Sequence, residues 1–339
     1  MRTKHIQHTH LIIFMVLPAF IGAQETIQKT DLAIIGSGVA GLTAGIQAGR
    51  NNVKPLIIEG KNPGGGLVRA GTIGNWPGEI AISGPDLMEK MLTHAKKTGS
   101  QFLSAEITHA DFNIHPFCLW TDQDIVVHAK SVIIATGTDR KKLACPGEET
   151  YLGKGVAVCS MCDGPLYEKK KVVIIGGGNT ALYEALSLYK FTDDITIIDR
   201  QPKLTASASL MKKIKEKPSI RLLLYTNLDE ILGDGAQVTG VSVTDLATQK
   251  TYQIPTDGVF IAIGMSPCSQ AFKGLQCDKN GYIKVKDFTK TSVDGVFAAG
   301  NVCSRSYKQA PTAAGTGCMA AIDAEHYLKK IASRSGKIT

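Results

Sequence analysis

The sequence predicts an α/β fold of two parallel-sheet modules, the second inserted into the first. Three observations carry that prediction. Short apolar runs alternate with helix-period segments along most of the chain, the pattern of strands buried on both faces of a parallel sheet. A strand, glycine turn, helix, strand and acid occur in that order twice, with Gly36 to Gly176 and Glu59 to Asp199 both 140 residues apart. Other apolar runs end at Gly137, Gly264 and Gly300, so the first module is completed only after the second has closed.

Composition sets the outer bounds. A chain of 339 residues suits about two domains. With 43% hydrophobic and 20% charged residues it can bury two cores, which excludes general disorder. Glycine is in excess at 35 residues, with no collagen-like period, and 13 prolines are too few for a low-complexity chain. The glycines therefore mark turns and close backbone approaches to ligands. The formal net charge of +8 sits largely in lysine runs (Lys169, Lys170, Lys171; Lys212, Lys213) and in an acid-free stretch over 329–337. Solvated faces account for it, and with 6% aromatics no nucleic-acid surface is expected.

Cysteine usage is the sharper signal. Six of the eight cysteines (Cys118, Cys145, Cys268, Cys277, Cys303, Cys318) are dispersed and read as small, inert residues. Cys159 and Cys162 form the single tight pair, which suits a reducing compartment. The N-terminus conflicts with that. Residues 1–24 carry Arg2 and Lys4 without an acid, then an apolar run over 11–21, then Gly22 and Ala23. This is the order of a secretory signal peptide, and the run is shorter than the ~20 residues that span a bilayer. The expectation is a signal peptide, anchor or leader over 1–24 and a cytoplasmic location, with export or membrane anchoring as the alternative.

The first module is set at 25–138 with 270–339, and the inserted one at 139–269. In the first, the run 31–35 reads as a strand, and Gly36-Ser37-Gly38-Val39-Ala40-Gly41 follows before a helix over 42–48. The next strand, 55–58, ends at Glu59. Gly36 allows the tight turn, Gly38 lets backbone approach a pyrophosphate, and Gly41 lets helix pack on strand. The free N–H groups of the helix start favour phosphate, and Glu59 accepts from ribose hydroxyls. In the second module, 171–175 leads into Gly176-Gly177-Gly178-Asn179-Thr180-Ala181, a helix to about Tyr189, and a strand over 195–198 ending at Asp199. A strand over 291–302 and a helix after Ala313 close the chain. Two Rossmann-like dinucleotide-binding domains imply two bound dinucleotides.

Early in the second module comes Cys159-Ser160-Met161-Cys162-Asp163-Gly164. Such a pair closes a small disulfide, and a helix N-terminus there lowers a thiol pKa. Zinc requires four ligands, and no second cysteine or histidine pair lies near, so no metal is expected. A redox disulfide beside two dinucleotide modules makes an electron route from nicotinamide hydride through flavin to the disulfide. Asp163 reads either as a proton donor and acceptor beside the pair or as a plain turn aspartate before Gly164.

These motifs resemble the low-molecular-weight thioredoxin reductases, the two-domain class of flavoprotein disulfide reductases, over nearly all of 30–330. The resemblance rests on GSGVAG with Glu59, GGGL at 64–67, NWPG at 75–78, CSMCDG, GGGNTA, FAAGNV and APTAAGTG. It implies an FAD domain interrupted by a nicotinamide domain that carries the redox pair. It assigns Cys162 to face the flavin, Cys159 to attack the disulfide of a thioredoxin-like protein, and Asp163 to protonate the departing thiolate. It gives Gly36, Gly38, Gly41 and Glu59 to the ADP half of FAD, and counts Ser37, Gly65 and Leu67 among the cofactor-binding residues. Asn75, Gly300 and Asn301 fall toward the ribityl and flavin end, and Gln309, Ala310 and Thr312 near the isoalloxazine. Gly176, Gly178, Asn179, Thr180, Asp199 and Arg200 fall to the nicotinamide dinucleotide. A homodimer and a swinging inserted domain are also implied.

The departures from the family pattern are informative. Where the class carries a His-Arg-Arg cluster and a later arginine for the 2′-phosphate, this chain has Asp199-Arg200-Gln201-Pro202 and Thr205. An acid there accepts from a free 2′-hydroxyl and repels a 2′-phosphate, so NADH is expected over NADPH. Asn301 replaces a usual aspartate. The expected activity is FAD-dependent, NAD(P)H-driven thioredoxin-disulfide reduction. The alternatives are a flavin-dependent dithiol oxidase with oxygen as acceptor and a nucleotide-binding redox sensor.

Overall fold

The computed structural model describes residues 26–70, 72–304 and 306–335. The segment on which the leader expectation falls lies outside them. Helices are named in chain order: α1 (Val39–Arg50), α2 (Gly84–Lys97), α3 (Ser160–Asp163), α4 (Asn179–Leu188), α5 (Ala208–Lys215) and α6 (Ala310–Ser335).

The first sheet has Thr26–Ile35 at its centre. Leu56–Ile58 and then Gln101–Leu103 lie on one side and Ile125–Ile134 on the other, all parallel. Ile125–Ile134 is long enough for two partners on its far side. Its first half pairs antiparallel with Phe117–Thr121, which turns back through Ile107–Asp111, and its last residues pair parallel with Val296–Ala298. Ala33, Ile34, Ile57, Ile133 and Ala298 are fully buried because both faces are covered. One face packs on α1, α2 and α6 through Leu42, Leu87 and Ala320, and the other on Phe112, Phe272 and Ile283.

The second sheet is wholly parallel, in the spatial order Val156–Ala157, Gly258–Ile261, Val172–Ile175, Ile195–Asp199, Arg221–Leu224. Helices α4 and α5 cover one face through Leu182, Leu210 and Ile214. An antiparallel layer of Thr226–Gly233, Val238–Asp245 and Thr251–Pro255 covers the other through Ile231, Val241 and Val243. The chain leaves the first sheet and returns to it side by side, since Thr138–Arg140 pairs antiparallel with Met265–Pro267. The result is two dinucleotide-binding folds, one emerging from a ribbon within the other. No helix among the described residues is long and apolar enough to cross a membrane.

Several element limits differ from the sequence expectation. The strand expected over 291–302 is confined to Val296–Ala298, because the chain leaves the sheet at Gly300 in the 3₁₀ turn Gly300–Val302. The helix expected over 42–48 runs from Val39 to Arg50. The first strand begins at Thr26 rather than 31, because Thr26–Thr30 pairs with Ile125–Ala129 while keeping polar side chains outward. The last helix begins at Ala310, not after Ala313. Pro311 sits in its first turn, where a missing N–H leaves no intrahelical bond unmade.

Candidate active site

A cleft of about 880 Å³ opens where the first sheet meets α1 and α6. Gly36 forms its floor in a left-handed conformation, φ +107°, and a Cβ there would lie 2.5 Å from the Ala135 carbonyl oxygen. Helix α1 starts at Gly38 with no side-chain cap and no acid in its first turn, so its free N–H groups face the cleft. The start of α6, at Ala310 and Ala313, lines the same cleft and also lacks an acid. Opposite lies the 3₁₀ turn Gly65–Arg69, and a Cβ on Gly65 (φ +67°) would come within 2.9 Å of the Gly38 Cα. Two glycine backbones thus form a cradle that side chains would fill. Those paired helix starts and the cradle fit a dinucleotide pyrophosphate.

Most residues expected at the first nucleotide are brought to this cleft: Glu59 at the end of Leu56–Ile58, Leu67, and Gly300 with Asn301 in a 3₁₀ turn. The Gly300 amide donates to the Thr316 hydroxyl at 3.0 Å, which fixes that turn on α6. Asn75 donates to the Gln309 side-chain carbonyl at 2.8 Å, joining two predicted residues that are far apart in sequence. Gly41 lies behind the cleft, where a Cβ would lie 1.8 Å from the Gly36 carbonyl oxygen. The hydroxyls of Ser37 and Thr312 are engaged by the chain's own backbone. The Ser37 hydroxyl is turned inward, donating to the Glu59 carbonyl and accepting from the Gly64 amide. The Thr312 hydroxyl accepts from the Gln309 amide and donates to the Gln309 carbonyl, so it closes the start of α6. Sequence reasoning missed Thr316, whose motif position gave no hint of an anchor. It also missed Lys308, which lines the cleft and donates to the Tyr282 hydroxyl at 3.1 Å.

The second glycine turn is covered by its own chain. Gly178 starts α4, and Gly176 has φ +125°. The Thr205 amide donates to the Gly177 carbonyl at 2.8 Å, and the Asn179 side-chain carbonyl accepts from the Ser207 amide at 2.7 Å. The Asp199 carboxylate lies against Gly177, where a Cβ would fall 1.9 Å from its Oδ2. Its Oδ1 accepts from the Gln201 amide. Thr180 is exposed on the first turn of α4 and Arg200 is exposed beside Asp199.

Helix α3 carries the cysteine motif as a single turn, closed by Asp163 N–H donating to the Cys159 carbonyl at 3.0 Å. Cys159 is half-buried and disulfide-bonded. The side chain of Cys162 lies outside the described residues. The turn lies against Thr72–Ile73 of the first fold, just before Asn75. Burial pushes the Asp163 carboxyl above the ordinary carboxylate range. The dispersed cysteines are free thiols, and burial raises Cys118, Cys145 and Cys277, with Cys268 pushed up to about 12 and Cys303 to about 11. These five do not compete as thiolates near neutral pH. Sequence reasoning also missed Glu184 on α4, whose carboxylate accepts from the Ser160 amide at 2.6 Å. Glu184 sits one turn from Ala181 and Leu188, at the edge of the helix's buried stripe, a position that does not by itself reveal its partner.

Comparison with known proteins agrees with this geometry. The model of the pyridine nucleotide-disulphide oxidoreductase family matches residues 30–317. The thioredoxin reductase of Coxiella burnetii is 44% identical over 315 residues, covering 90% of this chain and 98% of that protein. The glucosaminate ammonia-lyase of Pseudomonas fluorescens is 40% identical over 318 residues, covering 91% and 99%. Among solved structures, thioredoxin reductase from Giardia duodenalis superposes with a TM-score of 0.82 at 38% identity, covering 89% of this chain and 99% of that one. The chain belongs to the pyridine nucleotide-disulphide oxidoreductase family, in the branch that holds the low-molecular-weight thioredoxin reductases.

Proposed function

We propose that this chain is a thioredoxin-disulfide reductase. The observation that carries the reading is a disulfide-bonded Cys159 at the start of a one-turn helix of the second fold, set against Thr72–Ile73 of the first fold. That strand is close in sequence to Asn75, which donates to the cleft residue Gln309. The net reaction is NAD(P)H plus a proton plus protein disulfide giving NAD(P)⁺ plus protein dithiol. Gly36, Gly38, Glu59 and Gly65 would hold FAD in the first cleft, with Gly41 packing helix on strand behind them, and Asn301, Gln309 and Ala310 would serve its flavin half. When bound, that flavin supplies the two-electron relay between nicotinamide and cysteine pair. The Cys159 thiolate attacks the substrate disulfide, forming a mixed disulfide and expelling one substrate thiolate, which Asp163 protonates. Cys162 then displaces the second substrate sulfur and restores the enzyme disulfide. The paired strands Thr138–Arg140 and Met265–Pro267 support setting the nicotinamide domain at 139–269 within an FAD domain of 25–138 and 270–339.

NADH is the preferred donor. Supporting this, Asp199 places a carboxylate at the second glycine turn, and Thr205 is tied to Gly177 in place of an arginine. A 2′-phosphate would meet like charge there. Steady-state reduction of thioredoxin disulfide should show a kcat/KM for NADH about tenfold or more above that for NADPH. The reverse order would overturn the preference. The same covered turn favours one second reading, a flavin dithiol oxidase that makes little use of nicotinamide. Fast flavin reduction by a dithiol but not by either nicotinamide would establish that reading instead.

A further inference from the structure

Glu184 takes no part in the chemistry above, yet it makes a direct hydrogen bond to the redox turn. Its carboxylate oxygen lies 2.6 Å from the Ser160 amide nitrogen, and Ser160, between the two cysteines, is 1% exposed. A four-residue helix leaves the amides of its first turn without partners four residues back. A buried amide must find another acceptor, and Glu184 supplies it across the α3–α4 contact. The carboxylate is poorly solvated there. Burial raises its proton affinity, hydrogen bonds from Ser160 lower it, and neighbouring Asp163 raises it again. The helix that offers this acceptor is the one whose start carries the second glycine turn.

We propose that Glu184 is a positioning residue for disulfide exchange: its carboxylate clamps the Ser160 amide, and so holds the turn bearing Cys159 and Asp163 on α4 when the cysteine pair is reduced. In the oxidised enzyme the disulfide itself constrains the turn. Reduction removes that covalent tie, and an isolated helical turn is an unfavourable nucleus with too few hydrogen bonds to persist. The reduced form is the one that attacks substrate, so a tie independent of the disulfide matters most there. The inference rests on the thioredoxin-reductase reading, because only exchange chemistry cycles the pair between the two states.

Two substitutions in the flavin-loaded enzyme separate reach from charge. Glu184→Asp keeps the charge and withdraws the acceptor by one methylene, and Glu184→Gln keeps the reach and removes the charge. The expected kcat for thioredoxin-disulfide reduction falls roughly tenfold or more in Glu184→Asp, with the KM for nicotinamide unchanged. It stays within about threefold of native in Glu184→Gln. Amide hydrogen exchange over residues 158–164 should accelerate in Glu184→Asp when the protein is reduced and match the native protein when it is oxidised. Native kcat and native exchange in Glu184→Asp would overturn the clamp, as would equal impairment of both variants. A native enzyme that fails to reduce thioredoxin refutes the functional reading, while the exchange measurement still decides the clamp.

Discussion

Cys159 and Asp163 divide the exchange chemistry, and each fails in its own way when removed. Cys159→Ser should retain flavin bleaching by nicotinamide and lose protein-disulfide reduction, and full activity in that variant would remove Cys159 from the mechanism. Asp163→Asn should lower the exchange rate by about 10²-fold, the ordinary contribution of a placed general acid. Because burial raises the Asp163 pKa, the native rate should fall as pH rises through that elevated value, and this descending limb should vanish in Asp163→Asn. Stability carries the same sign. An acid whose folded pKa is raised destabilises the fold as pH climbs from the unfolded value toward the folded one. Asp163→Asn should therefore gain stability over the native chain above that window and none below it, measured by denaturant melts across pH. These two residues were legible because CSMCDG is contiguous. Glu184 and Thr316 were not, since each acts on a backbone amide that only the folded chain brings near.

At the scale of the element, the glycine turns are the parts that sequence spacing described best. Strands buried on both faces read as continuous apolar runs, and a glycine must follow where the chain turns at a neighbouring carbonyl. Gly65→Ala should lower flavin content at purification and destabilise by about 1–3 kcal/mol, because the added methyl is directed at the Gly38 backbone from a left-handed conformation. Retention of full flavin absorbance would contradict the cradle. Asp199→Asn should narrow the NADH-to-NADPH preference by about tenfold, since it removes the like charge and keeps a hydrogen-bonding group. The polar half of Thr26–Ile35 and the first turn of α6 escaped notice for separate reasons. One is a strand defined by its partner Ile125–Ile134, and the other hides behind a proline that helix starts tolerate.

For the whole molecule, the 140-residue repeat made two nucleotide folds readable, and the runs ending at Gly137, Gly264 and Gly300 made their nesting readable. The ribbon between Thr138–Arg140 and Met265–Pro267 is the physical counterpart of that nesting. The antiparallel layers were unreadable, because strands such as Phe117–Thr121 take their identity from register with distant partners. The placement of α3 on the second fold and against the first is what the proposed electron path from nicotinamide to an outside disulfide requires. Anaerobic titration of the flavin-loaded protein tests that path directly. Stoichiometric NADH should bleach the flavin absorbance, and oxidised thioredoxin added next should restore it while gaining two thiols. Bleaching by NADH with no recovery on adding thioredoxin disulfide would contradict the account.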